Sequence, residues 1–401
     1  MAYFHNRTVN LLNLHYFVAS IAMSGGGAFY TAYLLKVGLG VPATLLAIGG
    51  MFALRLVMRT VLLPLGIAIG LRRLVILGSV LMGASYPFLP NVHGLGGALV
   101  LMIAVSALAD SVYWPSYHAY FAALGDAEHR GQQLSVREAV AAALGIVSPL
   151  ATGWALVTWG APIAFWITGA IQAASALPLL WTPNIAIAPR VPGAMRAALS
   201  GVVLFAGDGW TTAGYLICWQ AALFITLGQD FMVYGGALAV AALVGGVGGI
   251  FLGRLIDTGR GTRAVWLAIG ALMFVIALRI GLLHDPAWAI VANALGAFVN
   301  CLYIPTMMTA VYNSAKRSAC VLRFHIAAEG GWDIGVSTAL SLAALITWLG
   351  FSLAWGIALA FIGAVFVFAQ LQRYYRDHPD ERIVPNEPGE FQSYAGEAPK
   401  I

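Results

Sequence analysis

Three ionisable side chains, His325, Glu329 and Asp333, recur every four residues in the stretch RFHIAAEGGWD, which opens a long apolar segment running to Gly350. On a helix that spacing places them in one stripe. With entry into a bilayer near Leu322, Glu329 and Asp333 would lie roughly 10 to 17 Å along the helix at 1.5 Å per residue. Ionisable groups at that depth cost about 2.5 to 3.5 kcal/mol each on insertion scales, and are retained where they face a water-filled path, a partner charge or a substrate. The competing account is a structural ion pair with Arg323 or a neighbouring helix. A carboxylate held away from water exchanges its proton according to the charges around it. Glu329 and Asp333 are therefore the first candidates for proton coupling, and Asp208 and Asp110 the next.

A second stripe, Asp110, Trp114 and His118, has the same spacing within DSVYWPSYHAY. Its aromatic residues suit either a cavity wall or plain packing at an interface belt. Arg55 and Arg59 stand one helical turn apart near the middle of another apolar segment, too central to reach water by extending along it. No acid shares their segment. Were Asp110 to pair with one of them, the other would want an anion, and a planar guanidinium suits a carboxylate or phosphate. The alternative is that acids of other helices neutralise both arginines, leaving a path for neutral or cationic solutes. Arg55, Arg59, Trp114, His118 and His325 are the candidate substrate contacts.

The elements that must position these groups are membrane helices. The chain is 60% hydrophobic and 9% charged with mean hydropathy +0.84, where soluble domains carry near 25% charged residues. That composition excludes a single soluble core over 401 residues and predicts an all-α, multi-pass membrane protein. Nucleic acid is excluded as a partner, because the excess of basic residues falls in loops. The cysteines Cys218, Cys301 and Cys320 have neither metal nor disulfide spacing.

Hydropathy divides the chain into twelve spans: 11–35, 41–70, 74–92, 95–124, 134–159, a sixth ending near Trp181, 200–227, 231–255, 264–283, 287–312, 322–350 and 351–371. The lead Met1 to Asn10 has no cleavable signal pattern. The first span contains Gly25, Gly26 and Gly27, which allow close approach or a soft point. Arg137 and Glu138 fall near the inner end of the fifth span, and Arg279 near the outer end of the ninth, where it is expected to extend to the surface. Asn293 and Asn300 lie on the tenth. Residues 182–199, with three prolines and two arginines, form the mid-chain break. The expected organisation is a bundle over 1–181, a central loop over 182–199, a second bundle over 200–372, and a disordered tail over 373–401. Twelve spans put both termini on one side. Fifteen Lys and Arg residues fall on that side's loops and tails and Lys36 alone on the other, so that side is predicted to be cytoplasmic and the membrane a cell, or inner, membrane.

The halves echo each other at an offset of 190 residues: Asp110 with Asn300, Tyr113 with Tyr303, Pro115 with Pro305, Gly145 with Gly335. Two six-helix bundles around a central path follow from such a repeat. With these spans, the central loop and two motif remnants, the sequence resembles the major facilitator superfamily over nearly its whole length. The family's inner-loop signature G-x-x-x-D-R-x-G-R-R is similar to Gly253-Arg254-Leu255-Ile256-Asp257 followed by TGRGTR, with the later glycine and arginine displaced by one. Between the second and third spans GIAIGLRR keeps glycines and Arg72-Arg73 but lacks the aspartate. Ser148-Pro149-Leu150-Ala151-Thr152-Gly153 is similar to the antiporter signature G-P-x-x-G-G, with serine and threonine for two glycines. The resemblance implies gating roles for Gly253, Asp257, Arg260, Arg72, Arg73 and Pro149, and places the third, sixth, ninth and twelfth helices at the periphery.

The function expected is that of a secondary transporter moving a small solute by alternating access, coupled to protons and suited to an organic anion. The alternatives are an antiporter for neutral or cationic compounds and a non-transporting sensor or scaffold of the same fold. No phosphate loop, H-E-x-x-H or metal cluster occurs, so neither an enzyme nor an ATP-driven pump is expected. No cofactor or metal is expected. The partners expected are solute, protons and lipid, and the chain is expected to be monomeric.

Overall fold

The computed structural model describes residues 7–124, 130–256 and 261–379, and within them every regular element is helical. Twelve long helical runs follow one another, with one short helical turn, Ala194–Ala197, between the sixth and the seventh. The first six are α1 (Arg7–Lys36), α2 (Val41–Ile69), α3 (Leu71–Asn91), α4 (Gly97–Leu124), α5 (Arg130–Thr158) and α6 (Ala161–Trp181). The second six are α7 (199–226), α8 (Phe231–Ile256), α9 (Gly261–Gly281), α10 (Pro286–Arg317), α11 (Val321–Trp348) and α12 (Leu353–Asp377).

Nine of these runs are long and apolar enough to cross a membrane by length and composition. Of the others, α11 carries Arg323, Glu329 and Asp333, α7 is divided by a π turn over Ala213–Cys218, and the apolar part of α5 is Ala143–Thr158. Large apolar side chains such as Trp166, Trp266, Phe274, Trp348 and Ile362 point outward, as a lipid-facing surface requires. The protein is an all-α multi-pass membrane protein.

The chain reverses where sequence chemistry allows it. Gly70 has φ +82°, a left-handed conformation that costs glycine little, and it turns α2 into α3. Asp230 and Asp285 accept the first free amides of α8 and α10. The glycines of α1 give way to a 3-10 turn at Gly26–Phe29, the soft point anticipated there. The helix α12 continues to Asp377, past the boundary expected at 372; only 380–401 of the expected tail lies outside the described residues.

Between the halves, α2 packs on α11 and α5 packs on α8, two seams that are images of each other under the repeat. Within the second half α11 lies unusually close to α7. A Cβ at Gly331 would strike the Val202 carbonyl, one at Gly335 that of Ala206, and one at Gly209 that of Trp332. Small residues let the two backbones meet there.

Candidate functional site

Arg55 sits at the midpoint of α2, fourteen residues from Val41 and fourteen from Ile69. Its Nε donates to Asp333 Oδ1 at 2.5 Å, and its Nη2 pairs with the same oxygen. Arg59, one turn inward, donates through Nε to Asp333 Oδ2 at 2.5 Å, and its Nη2 lies 3.0 Å from Glu329 Oε2. One carboxylate of the second half therefore holds both guanidiniums of the first. Asp333 is fully buried at 0% exposure and both arginines are 4% exposed, so these are desolvated pairs whose strength depends on geometry. Arg55 also lies over Phe52 and Trp332, 4.8 and 4.9 Å from the ring centroids.

Asp110, on α4, stands apart. Its Oδ2 is 3.8 Å from Arg55 Nη1, its side chain is 21% exposed, and among the described residues nothing donates a hydrogen bond to it. Asp333 and Glu329 together balance Arg55 and Arg59, so the uncompensated charge at this level is the acid, Asp110. Both arginines of α2 have carboxylate partners on α11, as in the second of the two sequence alternatives, while Arg59 Nη1 is buried without a hydrogen-bond partner. Arg323, the other partner considered for the α11 acids, turns instead to the central loop and donates to the carbonyls of Ala188 and Pro189 at 2.9 and 3.0 Å.

Asp208, on α7, is held by neutral donors: Tyr303 OH at 2.5 Å and Trp332 Nε1 at 3.1 Å. No cation approaches it within ion-pair distance among the described residues. Trp332 thus touches Asp208 with its edge and Arg55 with its face. In the first half Tyr113 OH meets His15 Nε2 at 3.1 Å. The two tyrosines of the 190-residue offset therefore each tie the fourth helix of their half to the first.

Towards the C-terminal end of α4, His118 stacks on His325 of α11, with ring centroids 5.6 Å apart, and Trp114 stacks on His118 at 5.8 Å. Tyr312 OH lies 3.4 Å from His118 Nδ1. His325 Nε2 and Glu329 Oε1 are buried without a hydrogen-bond partner. The aromatic run on α4 divides by face: Tyr113, Tyr117 and Tyr120 are core packing, while Trp114 and His118 stay part-exposed.

The structure brings Arg55, Arg59, Asp110, Glu329 and Asp333 into one cluster between the halves, joins Asp208 to it through Trp332, and sets His118 against His325 beside it. The gating candidates lie elsewhere. Arg72 donates to the Thr182 carbonyl at 2.7 Å, and Asn184 of the central loop accepts from the Arg72 amide at 3.1 Å. Arg73 is exposed. Pro149 is buried in the α5–α8 seam, where a Cβ on Gly235 would lie 2.6 Å from its carbonyl oxygen. Gly253 belongs to the last turn of α8, but its surroundings, like Asp257 and Arg260 themselves, lie outside the described residues, as do the side chains of Arg137 and Glu138.

Sequence reasoning overlooked Phe52, Tyr312 and Trp332. Trp332 adjoins Asp333, and its signal was only that adjacency, since it projects from a different face of the helix. Arg279 is a correction: it does not extend to the outer surface. It is 3% exposed, donates to the Tyr215 carbonyl in the π turn, and packs its guanidinium over Tyr215 and Trp219. A helical side chain leans towards its helix N-terminus, which for α9 directs Arg279 away from the near helix end and to the Tyr215 carbonyl of the π turn.

Two six-helix halves meeting at a buried ionic cluster define a membrane transport fold. The sequence matches the family model of the Major Facilitator Superfamily over residues 12–321, and the chain belongs to that superfamily. Its fold is similar to that of a POT family transporter solved in complex with 5-aminolevulinic acid, with TM-score 0.67 and 11% identity over 91% of this chain and 95% of that one. It is also similar to the POT family transporter PepTSo, with TM-score 0.63 and 13% identity over 93% and 99% of the two chains. The human organic anion transporter MFSD10 (TETRAN) gives TM-score 0.64 and 13% identity over 91% and 99%. No curated protein sequence matches this chain.

Proposed function

We propose that this chain is a proton-coupled secondary transporter that moves a small solute by alternating access, with the ionic cluster between α2 and α11 as its coupling device. The observation that carries this reading is the sharing of Asp333 by Arg55 and Arg59, a bond set made across the two halves. For α2 and α11 to part, buried opposite charges must separate, which costs several kcal/mol unless one is neutralised. A proton on Asp333 or Glu329 supplies that neutralisation and releases an arginine. The charge balance favours it too: two guanidiniums face three carboxylates, and one proton makes the set neutral.

The halves are taken as 1–181 and 200–372, joined by 182–199, with this loop and both termini cytoplasmic as the asymmetry of basic residues indicates. The pairing of both arginines weighs against an organic anion held by a free guanidinium, and in favour of the alternative for neutral or cationic solutes.

The test is accumulation in vesicles of both orientations under an imposed pH gradient, with a solute panel. Glu329→Gln and Asp333→Asn are expected to fold, and at least one to abolish gradient-driven accumulation while sparing binding or exchange. Concentrative uptake by both variants would make the carboxylates structural.

A further inference from the structure

The stripes on α4 and α11 face each other in register. Arg55 links Asp110 to Asp333 and His118 stacks on His325, so the antiparallel register of α4 and α11 puts Trp114 and Glu329 at the level between. The outer level is bridged by Arg55, which reaches both Asp333 and Asp110. The inner level is closed by the stacked imidazoles. At the middle level Arg59 Nη2 holds Glu329 Oε2 at 3.0 Å, while Glu329 Oε1 is buried without a hydrogen-bond partner and Trp114 remains part-exposed. Directly above it, Asp110 offers a carboxylate with no hydrogen-bond donor and a net charge that the two arginines do not cover.

We infer that Asp110, Trp114 and Glu329 form a binding site for a small organic monocation, its ammonium group held between the two carboxylates and against the indole face. This names the substrate class of the transport reading above, and rests on it. Each part has its chemistry. An indole is the best aromatic face for a cation. A carboxylate with free lone pairs takes a charge-assisted hydrogen bond. Glu329 Oε1, buried and unpartnered on the opposite helix, supplies the second acceptor. An anion is disfavoured by charge, because three carboxylates face two guanidiniums here, even though Arg59 Nη1 is buried without a hydrogen-bond partner.

The experiment is equilibrium binding of phenethylamine and tetramethylammonium to the purified full chain by calorimetry, with phenylacetate and benzyl alcohol as anionic and neutral comparisons. At least one cation is expected to bind, and neither comparison compound to displace it. Asp110→Asn and Trp114→Ala are each expected to weaken the cation at least tenfold, while Asp110→Glu and Trp114→Phe stay within about threefold. Melting curves establish that each variant is folded, and the conservative pair carries the test should Asp110→Asn fail to fold. Failure of both cations to bind overturns the inference, as does unchanged affinity in Asp110→Asn and Trp114→Ala, or tighter binding of phenylacetate. Vesicle assays separate this from the transport reading. Cation binding without gradient-driven movement leaves the site and removes the coupling, whereas accumulation of an anion without cation binding does the opposite.

Discussion

Asp333 accepts from two arginines at once, and this makes it the residue whose loss disturbs most. Removing one partner of a buried pair costs about 3–5 kcal/mol, because a charge is left stranded. Asp333→Ala takes a carboxylate from two arginines, leaving Arg59 with Glu329 and Arg55 with only the longer Asp110 pair, so its melting temperature in detergent should fall further than that of Glu329→Gln. Arg59→Gln combined with Glu329→Gln should recover part of the loss of either alone, with a coupling of about 0.5–3 kcal/mol in a double-mutant cycle. Strict additivity would mean that the 3.0 Å pair contributes nothing. At this scale the sequence showed which groups are buried but not how they pair. The spacing of His325, Glu329 and Asp333 made a stripe evident, as did that of Asp110, Trp114 and His118. Whether Arg55 meets Asp110 or Asp333 depends on the register between three helices, which no local pattern encodes. Arg279 was misjudged for a related reason. Nearness to a helix end says where its Cα lies, while the carbonyl that accepts from its guanidinium belongs to a π turn on another helix.

Among the elements, the α7–α11 seam depends on backbones in contact. A methyl group on Gly335 would strike the Ala206 carbonyl oxygen, and main chain cannot yield as a side chain can. Gly335→Ala should therefore destabilise by about 1–3 kcal/mol or more. Gly270→Ala, where a Cβ meets nothing within 4 Å, should be neutral or slightly stabilising; equal melting temperatures for the two variants would show that the seam relaxes. In α7, Arg279→Met leaves the Tyr215 carbonyl without its donor, and faster amide exchange over 213–219 is expected than in the parent protein. The spans themselves were legible from hydropathy to within a few residues, and the glycines of α1, open to close approach or a soft point, show both: a 3-10 turn, and contact with Thr152 and Thr168. The π turn was not legible, since AGYLIC reads as ordinary apolar helix.

For the whole molecule, the two-seam architecture agrees with the repeat of topology, six spans followed by six, rather than with single residue matches: Gly145 faces Ala242 of α8, whereas Gly335 faces Ala206 of α7. The placement of Arg55 at the middle of α2, bound to Asp333 on α11, has a mechanical consequence. It is a fulcrum with arms of equal length, each about 21 Å at 1.5 Å per residue. A tilt of about 20° about such a point would part either end by roughly 7 Å, given those arms. Movement at one face must then be mirrored at the other. Spin labels at Val41 and Trp348 report the outer ends of α2 and α11, and labels at Ala68 and Val321 the inner ends, in a background lacking Cys218, Cys301 and Cys320. The two distances should change by similar amounts and in opposite senses. Movement of one pair with the other still would place the pivot at a membrane face. A balanced lever also needs no preferred resting side, so small differences in binding at either end would set which face stands open.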